Sequence, residues 1–260
     1  MLKSSPLPPD LADPLSCDAA RLGRFGRQVF FYDTVPSTND VAATLAEGGA
    51  PEGCVVVADA QSAGRGRLGR TWASPAGAGL YVSAVLRPEP DVIPLVTIAA
   101  GVALTQGIQA ATGLRPDLKW PNDVLIDGRK VAGILAEGTV GHLILGFGIN
   151  VLPAAYPHDI AGRATSLERE LGRTVDRGPL FVECLSSFAD RYAELRQGQH
   201  ATIVDAWRER AAGCLRKRVR WDARDTQMEG IADDIDADGA LLVRTPNGLV
   251  RVISGEVTWL

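Results

Sequence analysis

Cysteine and histidine are scarce in this chain: four cysteines and three histidines in 260 residues. Cys17, Cys54, Cys184 and Cys214 lie far apart with no Cys-x-x-Cys, and His142, His158 and His200 have no metal-ligand spacing. A zinc site is therefore not expected, and reduced thiols in a cytoplasmic protein are the simplest account. No apolar run approaches membrane length without a glycine, polar or charged interruption, so no span is expected. Excess positive charge is also missing. The net charge is −4, which disfavours general nucleic-acid binding. Residues 1–24 lack a signal-like apolar core, are rich in Pro, Ser and Asp, and read as a loosely ordered tail. What remains, 46% apolar and 22% charged residues, is ordinary for a globular chain with one large domain and a small one.

The pattern along the chain is of strands and helices in irregular alternation. Gln28–Asp33, Cys54–Asp59 and Leu80–Leu86 read as strands, Asn39–Glu47 as a helix capped by Ser37 or Thr38, and Pro94–Thr112 as a long apolar helix. Leu118–Trp120 starts another strand. Val124–Ile126 and Lys130–Ala136 flank Asp127-Gly128, a favoured hairpin turn, and His142–Asn150 returns after a second turn at Gly138–Gly141. Two helices, Leu180–Arg196 and Ala201–Ala212, precede five short strand-like runs. These features predict an α+β fold: a mixed, largely antiparallel sheet with packed helices over 25–212, then a small SH3-like β-barrel over 213–260.

Gln61-Ser-Ala-Gly-Arg-Gly-Arg-Leu-Gly-Arg70 is the most distinctive stretch. Arginine supplies a permanent cationic fork, and glycine lets backbone approach a ligand, so the loop is suited to an anion such as phosphate. Gly64-x-Gly66-x-x-Gly69 fits a dinucleotide fingerprint, and the loop is one residue from a P-loop. Both need a helix opening at the glycines. Here Pro75, Gly77 and Gly79 follow, then a strand, so neither pattern applies. Downstream stand Lys119-Trp-Pro-Asn-Asp123, Gly128-Arg-Lys-Val-Ala-Gly-Ile-Leu-Ala-Glu137 and Gly146-Phe-Gly-Ile-Asn150. Singly, each has a bland reading: a strand edge, a solvated lysine, a bulge. Their order and spacing with the Arg-Gly loop do not.

Together with Ser37-Thr-Asn39 and Trp72, these blocks make the chain resemble the biotin protein ligases, from about Phe30 to the C-terminus. The resemblance implies that biotin is activated with ATP to biotinyl-5′-AMP and passed to a lysine of a biotin carboxyl carrier protein. It implies biotin contacts from Ser37, Thr38, Asn39, Gln61, Arg65, Gly66, Arg67, Lys130, Gly133 and Leu135. It assigns Arg67, Arg70, Trp72, Lys119, Asn122 and Asn150 to ATP, and Asp123 to Mg²⁺. Arg67 and Lys130 would be the catalytic cations, because two anions must meet and their repulsion must be offset. The short hydroxyls and amides suit the ureido ring, with its one acceptor and two donors. A lipoate ligase shares the adenylation logic but would leave that polar set without purpose. An RNA-binding module is a rival of another class, and the acidic charge counts against it. The resemblance leaves a homodimer open.

Some members of that family carry an N-terminal helix-turn-helix and repress transcription. About 25 residues precede the first strand-like run here. A ligase that does not repress is expected, and a gel-shift with the purified protein and its own promoter DNA should show no specific complex.

Overall fold

The computed structural model describes residues 3–139, 141–223 and 226–260. Seven strands form the main sheet: β1 (Val29–Val35), β2 (Val55–Gln61), β3 (Gly79–Leu86), β4 (Asp117–Lys119), β5 (Asp123–Ile126), β6 (Arg129–Thr139) and β7 (His142–Asn150). The helices are α1 (Pro9–Cys17), α2 (Ala19–Leu22), α3 (Thr38–Glu47), α4 (Ile93–Thr112), α5 (Leu167–Leu171), α6 (Arg177–Arg196) and α7 (His200–Arg210). Val55 to Ala58 are all buried although successive strand residues face opposite ways, so the sheet must be covered on both sides. Val55 and Val57 join the large core under α4 and α6, while Val56 and Ala58 meet Val41, Ala42 and Ala46 of α3. The strand order is β1-β2-β3-β7-β6-β5-β4, with β1 and β2 parallel and every other pair antiparallel.

The turn and cap chemistry is as the residues dictate. Asp127 (φ 48°) and Gly128 (φ 74°) are both left-handed, as a two-residue hairpin turn matching strand twist requires. Gly113 (φ 82°) ends α4 by returning its N–H to the Gln109 carbonyl. By length and composition α4 could cross a membrane, but most of its residues are buried in the core of the fold. Gly138 and Thr139 of the expected turn at Gly138–Gly141 belong to β6, and Val140 lies outside the described residues.

One expectation is corrected. Residues 1–24 do not form a loose tail over their described part. Leu11, Leu15 and Leu22 are buried against the core, Asp10 binds Arg177 at 3.1 Å, and Arg21 binds Glu183 at 2.8 Å. The i, i+4 spacing of Leu7, Leu11 and Leu15 marks an amphipathic helix, a signal masked by the surrounding Pro and Asp. The C-terminal strands are β8 (Arg218–Ala223), β9 (Thr226–Ile235), β10 (Leu241–Thr245), β11 (Gly248–Val252) and β12 (Val257–Trp259). They form an antiparallel sheet of order β11-β10-β9-β8-β12 that pairing does not close into a barrel among the described residues. Residues 253–256, between β11 and β12, carry the chain across to β8 instead of back onto β11. Ala232, Ile235, Leu241 and Val243 place this sheet in the same core as α4.

Glu52 ties the layers together. Its carboxylate accepts from Tyr192 Oη at 2.6 Å, Arg87 N at 3.0 Å, Arg196 Nη1 at 2.6 Å, and Arg24. Burial pushes its pKa up, but these partners outweigh burial and hold it below the ordinary carboxylate value. A depressed folded pKa means that the contribution is complete above the unfolded value of about 4.3 and is lost as pH falls through the folded one. Glu52→Gln should therefore cost about 1–3 kcal/mol in urea unfolding at pH 7, and the gap from wild type should narrow below about pH 4.

Candidate active site

The β6–β7 ladder pairs Gly133 with Gly148 and Leu135 with Gly146. Three glycines therefore leave one patch of the sheet bare. A Cβ at Gly146 would stand 2.2 Å from Asn39 Oδ1, and one at Gly148 would stand 2.4 Å from Trp72 Nε1. Asn39 and Trp72 lie directly on the sheet because those methyls are missing. Around this floor runs a cleft of about 810 Å³, walled by the start of α3, the Arg-Gly loop, β5 and β6, residues 160–164, and residues 255–259.

The Arg-Gly loop is a tight hairpin. Gly66 N donates to Arg70 O at 2.7 Å, and Trp72 N donates to Gly64 O at 2.9 Å. Gly64 has no room for a side chain, since a Cβ would stand 2.4 Å from Trp72 O. At the tip Leu68 is left-handed (φ 56°) and exposed, within a three-residue 3-10 turn, so no α-helix opens at the glycines.

The arginines of this loop do different things. Arg65 is spent on a tether: it binds Asp40 at 2.7 Å and Glu137 at 3.0 Å. Two carboxylates therefore share its charge. Arg70 binds Glu256 of the C-terminal segment. Arg67 has no carboxylate within ion-pair distance among the described residues. Its Nη1 donates to Asn122 Oδ1 at 3.3 Å and its Nη2 to Gly255 O at 3.4 Å. Burial pulls its pKa below the ordinary value, partly offset by Asp123 and Glu256, and the guanidinium stays charged. Lys130 Nζ lies 2.5 Å from Asp123 Oδ1 and 5.2 Å from the Trp72 ring centre. Lys119 Nζ stands 4.9 Å over Trp259.

At the other end lies a buried polar set. Ser37, Thr38 and Asn39 are at most 5% exposed. Ser37 makes no side-chain cap, so capping does not account for these residues. Thr38 N donates to Gln61 Oε1 at 2.8 Å, Thr38 Oγ1 lies 3.1 Å from the same oxygen, and Gln61 Nε2 donates to Ser74 Oγ at 2.8 Å. Asn39 Nδ2 donates to Glu137 Oε2 at 2.6 Å.

Every expected contact residue lines this cleft except Asn150. Asn150 is buried behind the wall, where its amide donates to Thr165 O at 3.0 Å, so a direct ATP contact would require that bond to be exchanged. That bond holds a segment whose backbone pairs with Lys130: Lys130 N donates to Arg163 O, and Thr165 N to Lys130 O. Arg163, Gly255, Glu256 and Trp259 line the cleft and were not anticipated, because nothing in the local sequence says that 160–164 and 255–259 converge. Ser83 was missed as well. It reads as one more residue of a buried strand.

Residues 31–152 match the Biotin/lipoate A/B protein ligase family, and residues 217–258 match the Biotin protein ligase C terminal domain. The chain is 35% identical over 90% of its length to a biotin--[acetyl-CoA-carboxylase] ligase of Mycobacterium tuberculosis, covering 90% of that protein. The chain belongs to the biotin protein ligase family. It is also 37% identical over 89% of its length to the bifunctional ligase/repressor BirA of Bacillus subtilis, of which it covers 74%. A biotin protein ligase from Aquifex aeolicus, solved in complex with biotin and ATP, superposes with TM-score 0.80 at 28% identity, covering 90% of this chain and 99% of that one. The cleft of this biotin protein ligase draws on both matched regions and on the unmatched segment 160–164 between them.

The glycine floor makes a prediction. Gly148→Ala should fold, displace Trp72, and raise the KM for biotin by about tenfold or more; near-UV circular dichroism and a substrate titration check the two parts.

Proposed function

We propose that this ligase joins biotin to ATP in the cleft and then transfers the biotinyl group to a carrier lysine. A carboxylate oxygen of biotin attacks the α-phosphorus and pyrophosphate leaves. The lysine Nζ of a biotin carboxyl carrier protein then attacks the acyl carbon, the bond to AMP breaks, and the amine proton passes to solvent. The observation that carries this reading is the pairing of two opposite environments in one cleft. A buried set of hydroxyls and amides stands at one end, and Arg67 and Lys130 stand at the other.

Each set suits one part of the reaction. The polar end, from Ser37 to Asn39 with Gln61, supplies partners for a cyclic urea, and a site built this way rejects acids that lack one. The bare backbone at Gly133 and the side chain of Leu135 suit apolar rings and an aliphatic chain. Trp72 Nε1 is buried against Gly148 with no acceptor among the described residues. Arg67 and Lys130 offset the repulsion between carboxylate and phosphate. Lys119, Asn122 and Arg70 suit the nucleotide side, with Asn150 behind them. Asp123 fits Mg²⁺, which needs only one or two carboxylates beside substrate phosphates and would neutralise phosphate charge. Occupation of that site would free Lys130 from Asp123. The C-terminal sheet, read as an SH3-like module, completes the phosphate end through Gly255 and Glu256. A cytoplasmic location fits this chemistry, which consumes ATP.

Pyrophosphate exchange into ATP should require biotin and fail with lipoate. No exchange with either acid would overturn the reading, and exchange with lipoate alone would favour a lipoate ligase. Lys130→Ala should lower the exchange rate by about a hundredfold or more while biotin still binds.

A further inference from the structure

The cleft's polar end has a buried control point that does not line it. Ser83, in the middle of β3, is 0% exposed and faces α3. Its Oγ lies 2.7 Å from Thr38 Oγ1 and 2.5 Å from Asn39 Oδ1. These are two short oxygen–oxygen contacts, and Ser83 has one hydrogen.

The surroundings decide where that hydrogen goes. The Asn39 amide nitrogen faces acceptors only, Glu137 Oε2 at 2.6 Å and Leu135 O at 3.5 Å, so its oxygen must be the atom toward Ser83. A carbonyl oxygen brings no hydrogen of its own, and Ser83 must supply the one in that contact. The hydrogen between the two hydroxyls then comes from Thr38 whenever Ser83 serves Asn39. Gln61 Oε1 keeps the Thr38 backbone N–H at 2.8 Å and needs nothing further from the hydroxyl. With its hydrogen committed inward, Thr38 Oγ1 presents a lone pair to the cleft.

We infer that Ser83 is a positioning residue for ligand recognition: it turns the Thr38 hydroxyl into an acceptor and holds the Asn39 amide in one orientation, so that the pocket selects a ring bearing N–H donors. This rests on the biotin reading and deepens it. Gly146 belongs to the same device. It is the cross-strand partner of Ser83, and its missing side chain makes the space in which the Asn39 amide lies.

The test is biotin-dependent pyrophosphate exchange, run with biotin and with an analogue methylated on both ureido nitrogens. Ser83→Ala should raise the KM for biotin about tenfold, leave kcat within about twofold, and leave the KM for the methylated analogue unchanged. The wild-type preference for biotin over the analogue should fall by the same factor. Because Ser83 acts through Thr38 and Asn39, adding Ser83→Ala to Thr38→Val should raise the KM by clearly less than Ser83→Ala does alone. Equal KM increases for both ligands, or additive effects in the double variant, would overturn the role of Ser83 and leave the biotin reading intact. Should Ser83→Ala not fold, Thr38→Val by itself must erase most of the preference, and a preference retained there overturns the inference. Wild-type protein without biotin-dependent exchange would overturn the biotin reading and this inference with it.

Discussion

The register of β6 on β7 is the constraint from which the site follows. Gly133 opposite Gly148, and Gly146 opposite Leu135, strip the side chains from one patch of an otherwise crowded sheet. A slip of one residue would send those glycines to the α4 face and large apolar groups to the cleft. Because the patch is bare, the Asn39 amide and the Trp72 indole rest on backbone, and the α3 N-terminus and the Arg-Gly loop come down onto the sheet with them. β7 is paired along almost its whole length with β6 on one side and β3 on the other.

Charge in the cleft is organised by pairing rather than by number. Arg65 and Arg70 are committed to carboxylates and fix the loop to α3, β6 and the C-terminal segment. Arg67 lies between these two anchors and is left with neutral oxygens. A half-buried guanidinium without a counter-ion is poorly solvated and unneutralised, which makes it the strongest attractor for an incoming anion. Lys130 is held by Asp123 in the same cleft, so the two cations best placed for phosphate differ in how readily they are released. The C-terminal sheet enters this arrangement through residues 255–259 and shares its core with α4.

Much of the fold was legible. Valine alternation and apolar runs marked β2, β3, β6 and β7, and glycine and Asp-Gly marked their turns, because these signals act within a few residues. The missing helix after the Arg-Gly loop was equally plain from Pro75, Gly77 and Gly79. The helical period of the N-terminal segment is hidden by its Pro- and Asp-rich composition: Leu11, Leu15 and Leu22 outweigh the prolines once α6 is there to bury them. Five short C-terminal strands were legible too, but which of their edges meet is a long-range property.

For the site, residue identity was enough to collect the lining, since spaced blocks such as Lys119-Trp-Pro-Asn-Asp123 and the Arg-Gly loop carry their own chemistry. The sequence by itself determined which groups are available: three loop cations, a polar trio at the head of α3, and glycines where backbone must be approached. Tertiary structure alone decided how they are used. It spent Arg65 on Asp40 and Glu137, left Arg67 free, buried Asn150 behind Thr165, and set Ser83 under Thr38 and Asn39. The reason is physical. A side chain's chemistry is local, but its hydrogen-bond and ion-pair partners lie across the fold, and only packing brings them within reach.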